Sequence, residues 1–252
     1  MTLGFIGTGT MAAAMVEGLC GEDILVSPRG AEVAADLARR FPGVRVAADN
    51  QSVIDGSDMV VLAVRPQVAE AVIRPLRFRP GQTVVSVIAA TQIASLRDWI
   101  GFDLPIIRAI PLPFAADRAS VTPLFPPNAE VAALFNRLGT ALPCATIAEF
   151  DLMAVGSALM GSYFGILETA QGWLMAQGLD DSAARTYLAG LFANLGQVAQ
   201  TSPADFATLR AEHSTPGGLN EQIFRDFAAG GGTAALTAAL DRVLDRVRGS
   251  AR

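Results

Sequence analysis

Lysine is absent: all 19 basic residues of this 252-residue chain are arginines. Dehydrogenases that use a Tyr-x-x-x-Lys pair or a lone catalytic lysine, and enzymes that form a Schiff base, need a primary amine that this chain does not have. A Walker-type phosphate loop is excluded for the same reason. Soft metal ligands are nearly as scarce. One histidine and two cysteines fall short of a catalytic zinc set, so no metal site is expected. Cys20 and Cys144 lie far apart in apolar sequence, which reads as two buried thiols in a reducing compartment. No basic segment precedes a hydrophobic one at the start, because an apolar strand pattern begins at Leu3, and this predicts a cytoplasmic protein. The net charge of −5 leaves no positive excess for a nucleic acid or an anionic membrane surface, so neither partner is expected.

What is present is a strand that runs into a glycine turn: Leu3-Gly4-Phe5-Ile6-Gly7-Thr8-Gly9-Thr10-Met11-Ala12. Gly7 permits the tight turn, Gly9 lets backbone approach a pyrophosphate, and Ala12 lets the following helix pack close to the strand. The free N–H groups and positive dipole end of that helix favour phosphate. The second strand, over 23–27, ends in Ser27-Pro28-Arg29. An acidic residue there would bind the ribose 2′-hydroxyl of NAD, whereas a hydroxyl and a guanidinium suit the 2′-phosphate of NADP, so NADP(H) is expected ahead of NAD(H).

Residues 1–148 alternate apolar runs with amphipathic stretches. Strands are expected at 3–7, 23–27, 44–47, 58–64, 82–88 and 105–109, and helices at 10–20, 30–41, 67–75 and 92–100. Runs such as Met59-Val60-Val61-Leu62-Ala63-Val64 suit a parallel sheet covered on both faces. The fold class is therefore α/β, with an N-terminal Rossmann-type doubly wound parallel sheet over 1–148. From 149 to 252 the strand signal stops and an all-α domain is expected, with helices at 149–177, 181–200, 204–211, 217–228 and 232–248. Between Asp151 and Glu168 no charged residue occurs. That run is shorter than the roughly twenty residues of a bilayer span, yet apolar on every face. A helical domain of this size cannot surround such a helix, which predicts a homodimer through the C-terminal helices.

Three further segments fall where ligands should meet the fold. Ala63-Val64-Arg65-Pro66-Gln67 and Val87-Ile88-Ala89-Ala90-Thr91 follow strands at the sheet edge where open α/β folds bind ligands. Glu212-His213-Ser214-Thr215-Pro216-Gly217-Gly218-Leu219-Asn220 is a helix start whose Gly217 and Gly218 amides are suited to an anion such as a carboxylate.

In this order, Gly-x-Gly-x-Met-Ala, Ser-x-Arg, Ala-Val-Arg-Pro-Gln, Ile-Ala-Ala and Ser-Thr-Pro-Gly-Gly resemble the Δ1-pyrroline-5-carboxylate reductases over essentially the whole chain. The resemblance implies reduction of a cyclic imino acid to proline with NAD(P)H, and dimerisation through an intertwined helical domain. It places cofactor contacts at Gly7, Thr8, Gly9, Thr10, Met11, Ser27, Arg29, Ala63, Val64, Arg65, Pro66 and Ala89. Substrate contacts fall at Gly217, Gly218 and Asn220, with Thr215 or a water handling the proton; His213, the single histidine of the chain, adjoins this segment and is a candidate proton donor in its own right. The chain departs from the family where Met-Pro-Asn-Thr-Pro becomes Ile110-Pro111-Leu112-Pro113-Phe114, where the Ser-Gly-Ser-Gly-Pro-Ala helix becomes Gly156-Ser157-Ala158-Leu159-Met160-Gly161-Ser162, and where paired threonines become Leu219-Asn220. A more apolar pocket follows. Two other readings are an NADPH-dependent oxidoreductase with a different acceptor, either a bulkier imine or a deazaflavin, and a non-catalytic NADP(H)-binding homologue.

Overall fold

The computed structural model describes residues 1–249, and the chain divides into two compact units, one over Met1–Ala154 and one from Val155 onward. The first unit is built on eight strands: β1 (Leu3–Ile6), β2 (Ile24–Val26), β3 (Val44–Val46), β4 (Met59–Leu62), β5 (Thr83–Ser86), β6 (Ile106–Ala109), β7 (Ser120–Phe125) and β8 (Gly139–Pro143). They form one sheet in the order β3-β2-β1-β4-β5-β6-β7-β8. Pairing is parallel from β3 across to β6, antiparallel between β6 and β7, and parallel again between β7 and β8. Strand order reverses between β1 and β4, the crevice at which doubly wound sheets take dinucleotides.

Alternation along the strands feeds two cores. Phe5 and Val61 pack on one face with Met15 and Val16 of α1 (Thr10–Gly18) and Leu37 of α2 (Ala31–Arg40). Ile6 and Leu62 pack on the other face with Ile54 of α3 (Asn50–Asp55), Ile73 of α4 (Pro66–Ile73) and Leu96 of α5 (Ile93–Ile100). The near-continuous apolar strands follow from this double coverage.

Several expectations need correction. Strands β7 and β8, and the helices α3 and α6 (Ala129–Asn136), were not predicted. β7 contains Pro123, which reads as a strand breaker. The Pro123 carbonyl accepts from Ile110 N–H at 3.1 Å, so the proline nitrogen faces the chain just past the end of β6, beyond the Arg108–Phe125 and Ala109–Leu124 pairs of the ladder. Cys20 is exposed just past α1, and its Sγ accepts from Arg118 Nη2 at 3.2 Å. Cys144 is buried as expected, and burial pushes its thiol pKa up.

The continuous helix expected at 149–177 is two helices, α7 (Ile147–Ser157) and α8 (Leu159–Ala176). Ala158 N–H bonds Val155 C=O at 3.0 Å, a three-residue step that tightens the turn and separates them. The boundary between the units lies inside α7 because Phe150 is 1% exposed within the first unit and its ring stacks 4.7 Å from the Arg108 guanidinium carbon. Arg108 is itself buried at the end of β6. Desolvation lowers its pKa, opposed by the charge of Asp151.

The second unit is helical: α8, α9 (Asp181–Thr201), α10 (Phe206–Glu212), α11 (Leu219–Ala229) and α12 (Gly232–Val247). Asp180 and Asp205 start α9 and α10 by accepting backbone N–H bonds from Ser182 and Thr208. No side chain of α8 is buried, and Phe164 and Trp173 are 65% and 63% exposed. By length and composition the helical stretch Ile147–Ala176 is apolar enough to cross a membrane, with a mean hydropathy of 1.4 in its most apolar window.

Candidate functional site

Gly7, Thr8 and Gly9 follow β1, and Ala63, Val64 and Arg65 follow β4. Together with Arg29, Gly30 and Val68 they line one cleft of about 220 Å³ at the strand-order reversal. The two glycines have different reasons to be there. Gly7 has φ +99°, and a Cβ on it would lie 2.6 Å from the Ala63 carbonyl oxygen. The turn therefore closes against β4 only without a side chain. A Cβ on Gly9 would meet no protein atom within 4 Å, so that glycine keeps open the space at the start of α1. Gly9 is the N-cap of α1, with no side-chain cap on the first turn. Exposed Thr10 and half-buried Met11 supply the first-turn amides.

Arg29 and Arg65 are both exposed at this cleft, and neither makes an ion pair among the described residues. No acidic residue is among those lining it. An open glycine cradle, a bare helix N-terminus and two uncommitted guanidinium groups fit a ligand carrying several phosphates. Pro66 occupies the first position of α4 and directs its N-terminus to the same sheet edge.

Ser27 is placed differently from the expectation. It is fully buried, and its Oγ accepts from Gly7 N–H at 2.8 Å, so in this structure it holds the turn. Thr8 is 4% exposed, and its hydroxyl donates to the Arg29 carbonyl. Ala89 is exposed beyond β5. Ala90 beside it has φ +51°, a left-handed conformation that L side chains adopt at a cost. Beyond β6, Leu112 N–H donates to Ser120 Oγ at 3.0 Å, and Phe114 is 48% exposed in the short helical turn Pro113–Ala115.

In the second unit, residues 213–218 join α10 to α11, and Leu219 and Asn220 open α11. His213 caps α10, with its Nδ1 paired to the Leu209 carbonyl at 2.8 Å. Nδ1 is then the protonated nitrogen when the ring is neutral, which leaves Nε2 to exchange a proton. Asn220 Nδ2 donates to the His213 carbonyl at 2.8 Å and fixes the loop. The expectation of bare glycine amides is corrected here. Gly218 N–H bonds the Thr215 carbonyl at 2.8 Å, and Gly217 N–H bonds Glu221 Oε2 at 2.6 Å. Glu221 is the third residue of α11 and reaches back over the helix start, as in a capping box. Sequence reading missed this residue, although a glutamate three positions after the Gly218 cap is a readable signal. Thr215, exposed, ends with its hydroxyl uncommitted among the described hydrogen bonds.

Comparison with known proteins places both units. Residues 2–90 match the family model described as NADP oxidoreductase coenzyme F420-dependent, and residues 150–250 match pyrroline-5-carboxylate reductase dimerisation. The chain is 30% identical to the pyrroline-5-carboxylate reductase of Pseudomonas aeruginosa, over 97% of this chain and 94% of that one. A crystal structure of 1-pyrroline-5-carboxylate reductase from Streptococcus pyogenes is 25% identical, with TM-score 0.85 over 99% of this chain and 98% of that one. A Plasmodium falciparum pyrroline carboxylate reductase with NADP bound shares the fold at 15% identity, with TM-score 0.84 over 100% of this chain and 98% of that one.

Proposed function

This chain belongs to the pyrroline-5-carboxylate reductase family, and we propose that it reduces Δ1-pyrroline-5-carboxylate to proline with NADPH. The observation that carries the reading is the cleft at the β1–β4 reversal, with its two uncommitted arginines, in a chain similar to such a reductase along nearly its whole length. NADP(H) is the cofactor. Gly9, Thr10 and Met11 hold its pyrophosphate on the α1 N-terminus above the turn that Gly7 closes, Arg29 meets the 2′-phosphate, and Ala63, Val64, Arg65, Pro66 and Ala89 line its path along the sheet edge. Bound NADPH supplies the hydride.

The rest of the reaction asks for positioning and one proton. The segment at 213–220 receives the imino acid's carboxylate at the Gly217 amide, once Glu221 yields it, and at the second Nδ2 hydrogen of Asn220, while Gly218 holds the turn through its bond to the Thr215 carbonyl. Thr215 Oγ1, or His213 Nε2 in the doubly protonated ring, delivers the proton that leaves the ring nitrogen as an amine. No lysine or metal is required, which agrees with the composition. The family model that names coenzyme F420 covers only residues 2–90 and does not reach this loop.

The decisive assay follows NADPH oxidation with Δ1-pyrroline-5-carboxylate, run beside NADH. Proline formation with a preference for NADPH is expected. Tight NADPH binding with no proline formed would reject the reading.

Glu221 sets a second expectation. Its carboxylate occupies the Gly217 amide that the substrate carboxylate needs, so binding requires displacement of one anion by another. Glu221→Ala is therefore expected to lower KM for the imino acid about three- to tenfold, the scale of an exposed charge repulsion plus a freed hydrogen bond, with kcat nearly unchanged. An unchanged KM would show that the Gly217 amide does not meet the substrate.

We propose that the working form is a homodimer joined through the helical unit. The dimerisation-family match over residues 150–250 and the exposed apolar side chains of α8 support it. A second copy would cover the apolar stretch Ile147–Ala176 that a bilayer would otherwise be needed to shield.

A further inference from the structure

We propose that Thr8 controls the preference for NADPH over NADH without contacting the phosphate that distinguishes them. It does so as a positioning residue, by fixing the backbone from which Arg29 projects. The inference rests on the NADPH-dependent reading given above.

Two loops far apart in sequence are joined here at three points. Gly7 N–H donates to the buried Ser27 Oγ at 2.8 Å. The Thr8 hydroxyl, on a residue 4% exposed, donates to the Arg29 carbonyl. Gly30 has φ +83°, and a Cβ on it would lie 2.7 Å from Thr8 Oγ1, so the second loop fits this closely against the first only with glycine at that position. Arg29 itself extends into the cleft with no ion pair among the described residues. A long exposed side chain without a partner is located only by its backbone, and in this loop that backbone is held by Thr8.

The consequence separates the two cofactors. A guanidinium that grips a 2′-phosphate must be held near it before binding, or the cost of ordering it is subtracted from affinity. NADH carries a hydroxyl at that position and makes no such contact. The shared pyrophosphate meets Gly9 and the free α1 amides, which do not involve the Thr8 hydroxyl. Loss of that hydroxyl therefore weakens the contact unique to NADPH.

The test is a fluorescence titration of NADPH and NADH into the full-length protein and its Thr8→Val, Thr8→Ser and Arg29→Ala variants. Thr8→Val keeps shape and burial but removes the donor. It is expected to raise the NADPH Kd about five- to tenfold, the scale of one net hydrogen bond, and to leave the NADH Kd within about twofold. Thr8→Ser is expected to restore the NADPH Kd, because it returns the hydroxyl. Equal losses for both cofactors, or no loss in Thr8→Val, would overturn the role of Thr8. If Arg29→Ala leaves both Kd values unchanged, the assignment of Arg29 to the 2′-phosphate fails and takes this inference with it, an outcome distinct from a failure of Thr8→Val alone.

Discussion

A Phe164→Arg, Trp173→Arg double variant is expected to sediment as a single 26.3 kDa chain, while the parent sediments at about twice that mass. Both aromatic side chains lie on α8, which buries none of its side chains within one chain. At 65% and 63% exposure, each leaves a large apolar surface for a partner to cover. Burying a side chain of this size contributes about 1.5–3 kcal/mol, so the two together account for a substantial part of a stable association. Arginine at each position replaces that gain with the cost of desolvating a charge. The cleft at the β1–β4 reversal is lined entirely by first-unit residues, so the variant is expected to bind NADPH as before and thereby report that it has folded. A parent that sediments as one chain at micromolar concentration would remove the dimer from the proposal.

The two glycines of the first loop are expected to fail in opposite ways. Gly7→Ala forces a side chain into φ +99° and places its Cβ 2.6 Å from the Ala63 carbonyl oxygen. The left-handed conformation alone costs about 1–2 kcal/mol, and the overlap with backbone raises the total to roughly 3 kcal/mol or more. The variant is expected to melt well below the parent in thermal denaturation. At Gly9 a Cβ meets nothing within 4 Å, so Gly9→Ala is expected to melt with the parent. It fills the space in which we place the pyrophosphate, and an overlap of about 1–3 kcal/mol corresponds to a rise of roughly 5- to 150-fold in NADPH Kd. Normal NADPH affinity in Gly9→Ala would show that the cradle is not where the cofactor lies.

These contrasts mark where sequence reading stops. From the string alone Gly7 and Gly9 are equivalent members of a turn motif. Only the position of β4 makes one structural and leaves the other facing open space. Ser27 and Arg29 likewise look like a pair of phosphate ligands, because both follow β2. Ser27 turns inward to the Gly7 amide, and the bend over 28–30 carries Arg29 out to the surface. The loop before α11 shows the same limit. Its glycines promised two free amides, and the folded loop assigns one to Thr215 and the other to Glu221.

By itself the sequence determined the glycine turn after β1, the arginine after β2, the parallel character of the first six strands and the helical character of the second half. Each of these depends on periodicity or turn chemistry within a short window, where local sterics and hydrogen bonding act alone. Tertiary structure decided the acceptance of Pro123 in β7, the exposure of Cys20, the division of one expected helix into α7 and α8, and the tie between Thr8 and Arg29. Those outcomes depend on packing and on which donors meet which acceptors. For Thr8 and Arg29, 21 positions apart, only the parallel pairing of β1 with β2 brings the partners together.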